Sequence, residues 1–170
     1  MEELGVLKYC LGAAKRAYEQ ENVRQRNAMD KAEYLFKYLT LLTTVFNVAV
    51  SVISKMNQVN TADFYFIALY VPMLTAGIIG IASTLLIQMP RKIKQFSLGT
   101  EELKKVQKEP ARFRTEKEWT YQEILWMDTI TTRMRANNDK AMKWILIAYI
   151  SLAVMILCFG IFITYLILLV

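Results

Sequence analysis

The sequence predicts an all-α integral membrane protein with three transmembrane helices, of which the first and third extend into long cytoplasmic helices. The strongest signal is the stretch 144–170, which holds 27 residues and no charged side chain. A helix needs about 20 apolar residues to cross the hydrocarbon core of a bilayer, and it satisfies its own backbone there. A second signal is the segregation of charge. The chain is 55% hydrophobic yet carries 21 Lys and Arg and 15 Asp and Glu, which lie mainly outside the apolar stretches.

Residues 1–36 are predicted to form a cytoplasmic N-terminal helix. Its apolar positions alternate spacings of three and four, as in the seam of a coiled coil; they are Leu4, Leu7, Leu11, Ala14 and Tyr18. The seam favours packing on another part of the same chain, with self-association of two copies as the alternative. The first 30 residues hold no apolar core of the length that a cleavable signal peptide requires, so the first span is expected to act as an uncleaved anchor.

Residues 37–55 are predicted to be transmembrane helix 1, with 17 uncharged residues between Lys37 and Lys55. Asn47 lies near the middle of this span. An Asn in a spanning helix generally hydrogen-bonds to a neighbouring helix; lining a polar path is the alternative. Residues 56–63 are predicted to form a short external turn, so the next span is expected to return antiparallel to the first.

Residues 64–89 are predicted to be transmembrane helix 2. Ala76, Gly80 and Thr84 recur every four residues in this segment. Such a stripe of small residues lets another helix approach closely. The partner is either a helix of the same chain or a second subunit, and the sequence leaves both open.

Residues 90–143 are predicted to be a basic cytoplasmic segment with helical character from about Glu116. No Pro or Gly occurs from Thr115 until Gly160, so one helix is expected to continue into transmembrane helix 3, residues 144–170. Basic residues number seven in 1–37, none in 56–63 and thirteen in 90–143. The positive-inside rule therefore predicts a cytoplasmic N-terminus and an external C-terminus in a plasma membrane.

A charge pair stands where each of the two long helices approaches the membrane: Asp30 with Lys31, and Asp139 with Lys140. Each pair is followed by Ala. The Lys is expected to face anionic headgroups, and the Asp to pair with a basic group on the neighbouring helix. Of the two interpretations, the sequence favours a solvated interfacial charge pair over such a contact.

The sequence contains no pattern that indicates an enzyme. It has no His, which excludes a Ser-His or Cys-His catalytic pair. Cys10 and Cys158 lie in segments of different polarity, which argues against a disulfide, and zinc-ligand spacing is missing. Glu101 and Glu102 are interpreted as the first turn of a helix after Thr100. We expect no catalytic residues, no metal, no cofactor and no nucleic-acid partner.

Four features together resemble a known family. They are the Asp-Lys-Ala at 30–32, the Gln-Met-Pro-Arg-Lys at 88–92 that ends the second span, the Tyr-Gln-Glu-Ile at 121–124, and the Lys-Trp-Ile-Leu-Ile-Ala-Tyr at 143–149 that opens the third. In this order and spacing, over roughly 27–168, the chain resembles the transmembrane effector domain of Pycsar-type bacterial anti-phage systems. The SLATT group of membrane effectors is a second candidate.

The Pycsar resemblance implies an effector in the bacterial inner membrane that answers a cyclic-nucleotide signal from a partner cyclase. On activation it assembles or opens, membrane integrity falls, and the cell aborts the infection. The expected partners are therefore the lipid bilayer and further copies of the chain in a homo-oligomer. The alternatives are a non-enzymatic anchor or accessory subunit of a larger membrane complex, and a small holin-like pore former.

Overall fold

The computed structural model describes residues 2–55, 64–89 and 115–169. They form three helices, α1 (Glu2–Lys55), α2 (Phe64–Gln88) and α3 (Glu116–Leu169). Each helix contains a stretch that is long and apolar enough to cross a membrane. The predicted all-helical class is confirmed in this part of the chain. The external turn 56–63 and the helix start at Glu101 and Glu102 lie outside the described residues.

The two long helices are continuous through the change from polar to apolar sequence. α1 and α3 each contain 54 residues. The sequence divides the first of them into segments 1–36 and 37–55, whereas α1 runs through both without a break. α3 likewise continues from Glu116 into the last apolar stretch, as the absence of Pro and Gly predicted.

A capping box begins α3. The Glu118 backbone N–H donates to Thr115 Oγ1 at 3.2 Å, and the Thr115 backbone N–H donates to Glu118 Oε2 at 3.2 Å. These two bonds satisfy donors that have no partner in the first turn of a helix. Glu116 and Glu118 also place negative charge at the positive end of the helix dipole. The start of α3 is therefore encoded locally.

α2 contains a proline in its interior. Pro72 has no N–H and so cannot donate the hydrogen bond that an interior residue normally makes to the preceding turn. The Thr75 hydroxyl donates to Val71 O at 3.0 Å and to Pro72 O at 2.9 Å. The Thr75 side chain therefore hydrogen-bonds to backbone carbonyl groups next to the position where Pro72 cannot donate a backbone hydrogen bond.

The chain divides into two compact units. Unit 1 comprises residues 1–27 and 90–140, and unit 2 comprises residues 28–89 and 141–170. In unit 1 the first parts of α1 and α3 are parallel, because ion pairs join Lys8 to Glu116 and, further along both helices, Lys15 to Glu123.

In unit 2 the second helix is antiparallel to α1. Gly77 of α2 lies against Thr43 of α1, and the later Gly80 lies against the earlier Leu39. The same order holds for α3, where Gly77 meets Met155 and Gly80 meets Ser151. α1 and α3 are therefore parallel here too.

Candidate functional site

The core of unit 2 forms where its three helices meet. Large side chains from all three helices are fully buried, among them Leu39, Phe46, Met73, Met155 and Phe162. The other buried members of this core are Ala28, Ala32, Leu35, Ala76, Ile87, Ala141, Ile145, Ala148 and Cys158. The core is mainly apolar, and Ser83, Thr84 and Ser151 are buried polar residues of the same unit.

The small-residue stripe of α2 lies inside this core. Ala76 and Thr84 are buried. At Gly80, an added Cβ would stand 2.9 Å from Leu39 Cδ1 and 3.0 Å from Ser151 Cβ. The glycine thus permits α2 to approach both α1 and α3 of the same chain, and the stripe is covered by intramolecular contacts.

An aromatic cluster joins the three helices. The ring of Phe46 in α1 stacks on Tyr70 of α2 with centroids 5.7 Å apart. Two rings of α3 meet Phe46 edge to face, Phe159 at 6.0 Å and Phe162 at 5.0 Å. These geometries are the preferred ones for aromatic pairs, each of which contributes about 0.5–1.5 kcal/mol beyond burial. The cluster therefore helps to fix how the helices are rotated against one another within unit 2.

Asn47 joins α1 to α2 through a polar contact. The Tyr70 hydroxyl donates to Asn47 Oδ1 at 3.2 Å, and Asn47 Nδ2 donates to Thr43 O at 2.8 Å. Asn47 is itself exposed at the surface of unit 2. Both of its polar atoms are hydrogen-bonded within the chain.

The outer surface of unit 2 is mainly apolar on α1 from Tyr38, on α2, and on α3 from Trp144. Exposed aliphatic side chains include Leu41 and Val48 of α1, Ile78 of α2, and Leu157 and Ile167 of α3, at 57 to 71% exposure. Exposed hydroxyl groups here donate to their own helix, from Thr44 to Thr40 O and from Thr164 to Gly160 O. The surface thus presents few polar atoms to its surroundings.

Unit 1 buries the apolar side chains of Met127 and Met134 and carries ion pairs between α1 and α3. Lys8 pairs with Glu116 at 2.8 Å and Lys15 with Glu123 at 3.2 Å. Exposed pairs of this kind contribute about 0–1 kcal/mol each. On α3, Trp119 meets Trp126 edge to face at 6.0 Å.

A buried carboxylate lies between α1 and α3 in unit 1. Glu21 is only 7% exposed, and its carboxylate accepts hydrogen bonds from Asn138 Nδ2 at 2.9 Å and Arg135 Nε at 3.2 Å. Asn138 Nδ2 also donates to the Glu21 backbone carbonyl at 2.9 Å. We call Glu21, Arg135 and Asn138 the polar layer. Arg24 of α1 also lies 3.7 Å from this carboxylate. Because the Arg135 side chain is itself exposed, solvent weakens its attraction to Glu21.

The two charge pairs identified in the sequence differ in their contacts. Asp139 accepts a hydrogen bond from Arg24 of α1 at 2.8 Å. Asp30, Lys31 and Lys140 are exposed and make no ion pair within the part of the chain that the structure describes. Asp139 therefore makes the contact with a basic group on the neighbouring helix that the sequence analysis considered and did not favour.

A further ion pair stands on α1 just before the apolar stretch. Lys37 Nζ donates to Glu33 Oε1 at 2.6 Å, one helical turn apart. This hydrogen bond, together with the positive charge of Lys37, lowers the pKa of Glu33 below its ordinary value. Both side chains are exposed, so the pair contributes little to stability.

The described residues contain no cluster of His, Cys, Asp or Glu that could hold a metal ion. Cys10 is exposed and Cys158 is buried in unit 2. The described residues therefore form packed helices with a mainly apolar surface in unit 2 and a charged surface in unit 1.

No family model, curated protein or solved structure matches this chain. A functional assignment therefore depends on the chain's own residues and on the resemblance set out above.

The polar layer was not predicted from the sequence. The buried positions of α1 continue the spacing of the seam through Glu21, Ala28, Ala32, Leu35 and Leu39. The signal was present, because the step from Tyr18 to Glu21 keeps the three-four alternation. The seam of apolar residues ends at Tyr18, because the next two positions with the same spacing are the charged Glu21 and the polar Gln25.

Proposed function

We propose that the chain is an integral membrane protein that crosses the bilayer three times, through unit 2. The observation that supports this most strongly is the apolar outer surface of unit 2 on all three helices. A soluble monomer rarely exposes a contiguous apolar patch larger than a few hundred Å². In a bilayer, the same surface contacts lipid tails, and the threonine hydroxyls are satisfied by their own helices.

The proposed orientation places the N-terminus and the charged halves of α1 and α3 in the cytoplasm, and the C-terminus outside. The distribution of Lys and Arg supports it through the positive-inside rule. The ion pairs in unit 1 add an independent argument, since Lys8 with Glu116 and Lys15 with Glu123 require the polar halves of both helices on one side.

Reporter fusions test this topology. A phosphatase that is active only outside the cytoplasm should be active when fused after residue 170 and inactive when inserted in the segment 90–114. A fluorescent protein that folds only in the cytoplasm should give the reverse pattern. External activity of the 90–114 fusion, or a purified chain that stays monodisperse without detergent, would refute the proposal.

Within this topology, we propose that the chain acts as a membrane effector in a cyclic-nucleotide-linked antiviral defence system of bacteria. The support is the resemblance in the four sequence features, together with an architecture that has a membrane part and a polar part. Activation then requires two arrangements of the helices whose balance a signal shifts. The proposal assigns the chain no catalytic residue and no cofactor; the signal would come from a partner cyclase.

Membrane potential in living cells tests the effector role. The chain is expressed with a nucleotide cyclase from its gene neighbourhood, and a potential-sensitive dye is followed after phage infection. We expect depolarisation and reduced phage yield with the active cyclase, and neither with a catalytically inactive one. An unchanged potential together with unaltered phage sensitivity would count decisively against the effector role while leaving the membrane topology intact.

A second candidate is an anchor or accessory subunit of a larger membrane complex. It is favoured by apolar side chains exposed on unit 1, where Val6, Tyr9 and Tyr121 are 52 to 73% exposed. An anchor should be harmless when overexpressed and should co-purify with one partner at fixed stoichiometry. Depolarisation on activation without such a partner would rule it out.

A further inference from the structure

The end of α2 marks one face of the membrane-spanning unit. From Phe64 to Gln88 this helix carries no charged residue, and the basic Arg91 and Lys92 follow soon after it in the sequence. A spanning segment changes from apolar to basic where it reaches the headgroups on the cytoplasmic side. In the proposed topology, the last turn of α2 therefore lies at the cytoplasmic surface of the bilayer.

Two lysines of the other helices lie level with this end of α2. Gly80 of α2 lies against Leu39 of α1 and Ser151 of α3, and α2 ends eight residues later. The other two helices are antiparallel to α2, and every α-helix rises by about 1.5 Å per residue. On α1, Lys31 stands eight residues before Leu39. On α3, Lys143 stands eight residues before Ser151.

These two lysines are exposed, and neither makes an ion pair within the part of the chain that the structure describes. Lys37 differs, because it lies six residues further along α1, about 9 Å nearer the membrane centre, and pairs with Glu33. Asp30 precedes Lys31 in the sequence, but consecutive residues of a helix do not face each other. Unit 2 thus carries two unpaired positive charges at the level of the headgroups and a neutralised pair below them.

We propose that Lys31 and Lys143 each bind the phosphate of an anionic phospholipid in the cytoplasmic leaflet. The ammonium group of a lysine has three N–H donors for phosphate oxygens, and an anionic membrane surface attracts basic residues close to it. On α1, Tyr34 lies one turn beyond Lys31 on the same side of the helix and is 62% exposed; tyrosine is enriched at membrane interfaces. From the sequence alone, this role was expected for Lys31 and not for Lys143. Both sites require the membrane topology proposed above and are independent of the effector role.

Lipid binding to the full chain in detergent micelles tests the two sites. Native mass spectrometry resolves the protein with no, one or two bound lipids and so gives their affinities. We expect anionic phosphatidylglycerol to bind about fivefold more tightly at each site than zwitterionic phosphatidylcholine, the factor that a basic residue contributes near an anionic lipid surface. Glycerol phosphate, the headgroup without acyl chains, should not displace the lipid at equal concentration. Displacement would mean that the lysines bind a free anion, and would overturn the assignment to lipid.

Lys31→Gln combined with Lys143→Gln should abolish the preference for phosphatidylglycerol, and each single substitution should abolish it at one of the two sites. The matched control is Lys8→Gln with Arg16→Gln, which removes the same charge from exposed side chains of unit 1 and should keep the preference. Lys31→Arg with Lys143→Arg retains both charges and should also keep it.

A preference that persists in the double glutamine variant, or that the control variant loses equally, would refute the two sites. Equal affinities of both lipids for the unmodified chain would refute them too. In that case, reporter fusions that still place the segment 90–114 in the cytoplasm would leave the membrane topology standing. Circular dichroism establishes that each variant keeps its helices; if the double glutamine variant loses them, the two single substitutions decide the question in the same way.

Discussion

The closest helix approach in unit 2 makes a sharp prediction at Gly80. An added Cβ there would stand 2.9 and 3.0 Å from the two Cδ atoms of Leu39 and 3.0 Å from Ser151 Cβ. Leu39 is fully buried, so its side chain has no free space to occupy. Ser151 Cβ is bonded directly to the backbone, so relieving that contact requires α3 itself to move.

The expected magnitude follows from these distances. Carbon atoms are most favourably separated by about 3.5–4.0 Å, so Gly80→Ala forces the helices apart by several tenths of an ångström. Overpacking of a well-packed core costs about 1–3 kcal/mol. Replacing Gly by Ala in a helix interior is otherwise favourable by about 0.5–1 kcal/mol. A matched glycine is needed to separate the two effects.

Gly160 supplies this control, because nothing lies within 4 Å of its added Cβ. We expect the free energy of unfolding of Gly80→Ala to lie about 1–3 kcal/mol below that of Gly160→Ala. Gly77→Ala should fall between them, because its added Cβ would meet one tight neighbour, Thr43 Oγ1 at 3.1 Å, while Met155 lies at ordinary contact distance.

Equilibrium unfolding of the purified chain in mixed detergent micelles, followed by circular dichroism, gives these free energies. The packing argument fails if Gly80→Ala and Gly160→Ala agree within about 0.5 kcal/mol, the usual limit of additivity for independent sites. It also fails if Gly77→Ala is the most destabilised of the three.

Four further substitutions test polar groups. The Thr131 hydroxyl is buried without a hydrogen-bond partner in the described residues, so Thr131→Val should leave the free energy of unfolding unchanged or raise it. Thr120→Val should lower it by about 1 kcal/mol, because the Thr120 hydroxyl donates to a backbone carbonyl; the reverse order in unfolding experiments would contradict this. Asn47→Leu removes a hydrogen bond to α2 and should cost about 0.6 kcal/mol in the same unfolding assay; a gain in stability would contradict the contact. The pKa of Glu33 lies below its ordinary value because of Lys37, so the attraction between them is present near neutral pH and lost as pH falls through that lowered pKa. Lys37→Met should return the pKa toward the ordinary value in a carboxyl NMR titration, and an unmoved pKa would exclude Lys37 as the cause.

The sequence predicted the number and extent of the apolar helices because those features are local. An uncharged stretch of sufficient length predicts a candidate transmembrane span by itself. The absence of Pro and Gly between Thr115 and Gly160 predicts one continuous α3. Neither inference needs to know which segments are neighbours in space.

The contacts between helices could not be predicted from the sequence in the same way. Glu21 contacts Arg135 and Asn138, which lie 114 and 117 residues away in the sequence. No local sequence pattern identifies partners at such separations. The stripe at Ala76, Gly80 and Thr84 predicted that another helix packs closely on α2. A helix of the same chain and a helix of a second subunit would both use these residues, so the sequence could not distinguish them. Only the structure places Leu39 and Ser151 of the same chain against it.

The common 108-residue separation of the two lysine–glutamate pairs in unit 1 constrains how the length of this chain can change. An insertion in only one of the long helices would rotate every later side chain relative to its counterpart or displace it along the helix axis. Equal insertions of seven residues in both helices, each adding about 10 Å, would preserve every downstream contact. Relatives that differ in length within these helices should therefore differ in matched multiples of seven.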